Sequence, residues 1–115
     1  TTGNDWLALL LESGEVAAPG SPEWEAGSAQ HGAFHAAAGD HVLGGAPLHP
    51  PTTATTVRVR DGEVLLTDGP FAEGAEVANG FYLLRAADRD EATKLASMIP
   101  ASTVQLRRLA GVAGL

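Results

Sequence analysis

His31 carries an imidazole, which titrates near neutral pH and can take up and return a proton. Asp68, in the stretch LLTDGPFAEGAE from Leu65 to Glu76, offers a carboxylate that could orient such an imidazole or act as the base itself. Arg58 offers a planar guanidinium suited to an anionic substrate. Phe71 follows the constrained Gly69-Pro70 pair and is placed to plug the rim or floor of a cleft. Together with Arg58, Phe71 and Tyr82 are the candidate substrate-binding side chains. Each candidate has a plainer reading. A half-buried histidine can simply bond a backbone carbonyl, an Asp before Gly-Pro is most often a turn former, and Arg58 could bridge two copies of the chain. Glu73 and Glu76 fall in a loop, where solvated surface is the default.

His35 follows His31 by four residues, which puts two imidazoles on neighbouring helical turns in a geometry that zinc or copper accepts. His41 and His49 complete the four histidines. The Gly-rich segment between them promises no third ligand in fixed geometry, so no metal is expected. With no cysteine there is no thiolate nucleophile and no disulfide framework. No phosphate loop, dinucleotide fingerprint or Ser-His-Asp spacing is visible, and no cofactor is expected.

These residues need elements to hold them. Trp6 to Leu11 (WLALLL) is apolar on both alternating faces and suits a strand buried on both sides. Ser21-Pro22-Glu23 supplies a capping hydroxyl, a proline at the first helical position and an acid at the positive end, so a helix is expected over 22–38. Trp24, Gly27, Phe34 and Ala38 gather on one side of it, with His31 close beside. Val42 to Leu48 begins apolar but contains Gly44-Gly45 and Pro47, and reads as an irregular, mostly extended segment. Thr55 to Thr67 is a hairpin, because Asp61-Gly62 supplies the positive-φ residues of a two-residue turn. That turn sets Arg60 opposite Glu63, Val59 opposite Val64, Arg58 opposite Leu65 and Val57 opposite Leu66, with an Arg60–Glu63 ion pair at the tip. Gly80 to Arg85 is a second doubly buried strand. Asp88 with Glu91 starts a second helix that Pro100 ends, and Thr103 to Leu109 alternates as the last strand.

The 115 residues fit a single domain spanning 1–115, with 44% apolar and 18% charged residues. The order strand, helix, hairpin, strand, helix, strand fits an α+β ferredoxin-like sandwich with the irregular segment before the hairpin. Two helices cover only one face of such a sheet, so a second copy is expected over the other, making a homodimer. The net charge of −7 repels a phosphate backbone, which argues against nucleic acid as a partner. The apolar run at the start is far short of the ~20 residues that cross a bilayer, and no basic segment precedes it. A cytoplasmic protein without membrane partners is expected, and the Ala-, Gly- and Arg-leaning composition suggests a bacterial source.

The run TATTVRVRDGEVLLTDGPFAEGAEVANGFYLL, Thr53 to Leu84, closely resembles the signature of the DGPF-domain branch of the YCII-related family. HGAF (His31 to Phe34) and LHPP (Leu48 to Pro51) sit where that branch has similar motifs. The resemblance implies a dimeric α+β barrel fold related to muconolactone isomerases, and a His and an Asp near a cleft, here matched to His31 and Asp68. It also implies an association of some members with extracytoplasmic-function sigma factors. This chain departs from the family pattern after the DGPF corner, where Gly74 and Ala75 replace a hydroxyl and a base. Two expectations follow. One is a cofactor-independent enzyme of isomerase, lyase or dehydratase type acting on a small molecule, with His31 moving a proton and Asp68 supporting it. The other is a ligand-binding or regulatory module tied to a sigma factor or a biosynthetic pathway.

Overall fold

The computed structural model describes residues 4–13, 17–69 and 76–111. The elements run β1 (Asp5–Glu12), α1 (Pro22–Ala38), β2 (Val42–Pro47), β3 (Thr55–Arg60), β4 (Glu63–Asp68), β5 (Val77–Arg85), α2 (Arg89–Ser97) and β6 (Thr103–Arg108). Four strands form one antiparallel sheet in the order β2-β5-β1-β6, and β3 with β4 forms a separate two-stranded sheet. Without that hairpin, the remaining β1-α1-β2-β5-α2-β6 is the ferredoxin-like α+β plan.

This arrangement corrects the reading of residues 42–48. The segment expected to be irregular is a paired strand at the sheet edge, with Gly45 opposite Tyr82 and Pro47 opposite Gly80. An edge position tolerates this sequence because only one side of the strand must bond. Pro47 lacks an N–H, but the ladder resumes beside it where Leu48 N donates to Asn79 O at 2.9 Å. The hairpin is correspondingly an insertion between the edge strand and β5, outside the main sheet. Its predicted register is the observed one, Arg60↔Glu63 through Val57↔Leu66, and Asp61 (φ 52°) and Gly62 (φ 79°) form the turn. The expected ion pair at its tip is absent: Arg60 and Glu63 are both exposed and make no salt bridge, as holding two long side chains together in water gains little.

Helix α1 starts and stops where its sequence signals lie. Ser21 Oγ accepts from Trp24 N at 3.2 Å, Pro22 is the first helical residue and Gly39 turns the chain out at φ 56°. Asp88 caps α2 by accepting from Glu91 N at 2.9 Å, while the Glu91 carboxylate reaches back to Ala87 N at 3.0 Å. The core lies between the helices and one sheet face, around Ala8, Leu10, Phe34, Leu84, Leu95 and Ile99. Asp5 at the start of β1 is buried and paired with Arg85 at 3.3 Å, which compensates the charge.

Strands β1 and β5 were expected to be buried on both faces. In one chain only the helix-side face is: Ala8, Leu10, Tyr82 and Leu84 are buried, whereas Leu7, Leu9, Leu11, Phe81 and Leu83 on the other are half-buried. The hairpin is barer still. Val57, Val59, Val64 and Leu66 share one face and are 57%, 70%, 62% and 69% exposed.

Candidate functional site

Between α1, from Glu23 to His35, and the β2–β5 edge of the sheet lies a cavity of about 510 Å³. It exists because α1 packs unevenly. Its buried residues, Phe34 and Ala38, fall in the last five positions, while the cavity-facing side before them carries the small residues Gly27, Ser28 and Gly32. A methyl group built on Gly27 or Gly32 would meet nothing within 4 Å. The opposite wall includes Leu10, Gly45, Asn79 and Tyr82.

His31 is the polar centre of this space. Its Nδ1 lies 2.6 Å from the Tyr82 hydroxyl, and the rings are tilted at 43° with centroids 5.7 Å apart. His35, one turn on, meets Tyr82 edge-on at 5.3 Å, and Phe34 lies 5.0 Å from the same ring. Strand β2 makes this cluster fit. A side chain on Gly45 would run into the Phe81 carbonyl oxygen and come within 2.8 Å of the Tyr82 ring, so the edge strand must carry glycine opposite Tyr82.

Burial lowers the His31 pKa from its ordinary 6.5, the neighbouring His35 lowers it further, and the Glu12 carboxylate opposes both. Burial also pushes the Tyr82 phenol up. At neutral pH the pair is therefore a neutral imidazole hydrogen-bonded to a neutral phenol. Nδ1 is committed to Tyr82, which leaves Nε2 for a ligand. Glu12 is itself anchored on the wall, accepting from Ser102 N at 3.0 Å.

The other sequence candidates lie elsewhere. Arg58 and Asp68 are exposed on the hairpin, on opposite faces of it by the strand alternation, and neither lines the cavity of its own chain. The corner beside Asp68 is held by its neighbours. Gly69 N donates to Ala54 O at 2.7 Å and Thr56 Oγ1 donates to Gly69 O at 2.7 Å, while none of the described residues donates to the Asp68 carboxylate. Phe71 and Glu73 lie outside the described residues. His41 donates from Nδ1 to Arg85 O at 2.8 Å, and His49 is exposed. Among the described residues no group of three or more His, Asp or Glu is placed to hold a metal ion. The structure thus brings His31 and Tyr82 together and sets Glu12 and His35 around them. Sequence reading gave no role to Glu12, because its place beside helix α1 depends on a strand partnership that periodicity does not show.

A family model for the YCII-related domain matches residues 5–107. The chain belongs to the YCII-related family. Among curated proteins, an uncharacterized protein of Rhizobium meliloti (strain 1021) is 49% identical over 51 residues, a match that covers 44% of this chain and 41% of that protein. The YCII-related match takes in β1 through β6 almost entirely, and so includes both walls of the cavity. Among the described residues no helix is long and apolar enough to cross a membrane.

Proposed function

We propose that this YCII-related protein binds a small molecule in the α1–sheet cavity and that His31 transfers a proton there, in a reaction of isomerase, lyase or dehydratase type. The observation that carries this reading is the 2.6 Å contact between His31 and Tyr82 on a cavity wall. When Nδ1–H donates to the Tyr82 oxygen, Nε2 presents a lone pair to the ligand. Nε2 then takes a proton from a carbon next to a carbonyl, the electron pair left behind moves onto the carbonyl oxygen, and the imidazolium returns its proton at a second position. The lowered pKa keeps the base unprotonated at neutral pH, and the Glu12 carboxylate favours the transient imidazolium. The side chains alone supply this chemistry, without a cofactor.

Asp68 enters this proposal through a second copy. The open aliphatic face of the hairpin and the half-buried outer face of the main sheet both favour a homodimer, in which Asp68, on the aliphatic face, is offered to a partner's site while Arg58 lies on the face turned away from it. A cytoplasmic setting suits such a small-molecule protein.

The test is solvent exchange. Ketones and lactones with acidic C–H bonds, neutral or amine-bearing, are incubated with the protein in D2O, and deuterium incorporation is followed by NMR. Incorporation that the wild type catalyses and His31→Gln loses by at least about a hundredfold supports the reading. Binding without any exchange by the wild type would replace it with a ligand-binding or regulatory module.

A further inference from the structure

The charge on the cavity wall states which ligands it accepts. All seven Lys and Arg residues lie in the described parts of the chain, and none of them lines the cavity. Two carboxylates do, those of Glu12 and Glu23. Glu23 sits in the first turn of α1, where the helix end already favours its charge. Among the described residues Glu12 is met only by the N–H of Ser102, and its field reaches His31 across the cavity. The rest of the wall is largely apolar, with Trp24 near the α1 end and Tyr82 on the sheet side. An organic anion entering here would give up its hydration against two negative charges with no Lys or Arg among the described lining residues to meet it.

We infer that the cavity selects an uncharged or amine-bearing molecule with a flat apolar body, the amine directed at Glu12, and rejects carboxylates of the same shape. This rests on the cavity being the ligand site and adds the substrate class. It moves the expected contact with an anionic substrate away from this cavity.

Three probes share one phenyl body and differ in charge: phenethylamine, phenethyl alcohol and hydrocinnamate. Their binding to the full chain at neutral pH is read by quenching of tryptophan fluorescence and by calorimetry. Phenethylamine is expected to bind at least about tenfold more tightly than hydrocinnamate, with the alcohol between. Glu12→Gln keeps an amide oxygen for the Ser102 N–H but removes the charge, and should bring the amine down to the alcohol's affinity while leaving the alcohol unchanged. Equal or tighter binding of hydrocinnamate overturns the inference and leaves the cavity as a ligand site. An amine preference that survives Glu12→Gln also overturns it, since the charge would then come from elsewhere. Failure of all three probes to bind removes the ligand site itself, and the inference with it.

Discussion

At the scale of single residues, the His31–Tyr82 hydrogen bond is the most consequential contact, and it makes two predictions. Tyr82→Phe keeps the ring that packs on Phe34 but removes the oxygen at 2.6 Å from Nδ1. Stability should fall by about 1 kcal/mol in chemical denaturation, and the imidazole 15N shifts of His31 should move from one tautomer towards a mixture. The second prediction concerns pH. Because the folded His31 binds its proton less readily than the unfolded chain does, its contribution to stability is fully present above 6.5 and declines as the pH falls through the lower folded-state value. The wild type should therefore lose more stability than His31→Gln on going down through that window. A wild type and variant with parallel pH profiles would refute the lowered value. The sequence made His31 visible because HGAF lies on a helix with readable caps. It could not show the Tyr82 contact, which joins residues 51 apart through a strand pairing.

At the scale of elements, α1 and β2 share the task of keeping the cavity open, by opposite means. Gly27 and Gly32 leave room that a methyl group could occupy, at a cost of about 0.5–1 kcal/mol each relative to alanine in a helix. Gly27→Ala and Gly32→Ala should accordingly raise the melting temperature while weakening phenethylamine binding. Unchanged binding would mean the space near the helix is not used. Gly45→Ala should do the reverse of stabilising, since the added carbon meets backbone and ring atoms, and a loss of about 1–3 kcal/mol is expected in denaturant. The helices and the hairpin were legible in the sequence because Ser21-Pro22, Asp88 with Glu91, and Asp61-Gly62 each act within a few residues. Strand β2 was not, because Gly44, Gly45 and Pro47 have poor strand propensity and the edge that tolerates them is a property of the whole sheet.

At the scale of the molecule, the hairpin's bare face and the open side of the sheet belong to one question, which is what covers them. The proposed homodimer gives a direct measurement. Val59→Thr combined with Leu66→Thr keeps strand propensity but removes aliphatic surface from residues 70% and 69% exposed. The dimer dissociation constant should rise at least about tenfold in sedimentation experiments, and a wild type that sediments as a monomer at tens of micromolar (about the range expected of a stable interface) would end the idea. The ferredoxin-like plan could be read from element order, but the hairpin's exclusion from the main sheet could not. Its alternation is equally good for a strand pair inside a sheet or outside one.

The sheet order also bears on synthesis. Strand β1, one of the two inner strands, is synthesised before the other strands of the sheet, yet both of its neighbours, β5 and β6, come from residues 77 onward. A nascent chain stalled just after β4 would hold a finished hairpin beside a wholly unpaired β1, an apolar segment with two bare edges. Zipping of the sheet must wait for β5, which pairs both β1 and β2, so chaperone dependence should be greatest in the interval between completion of the hairpin and emergence of β5.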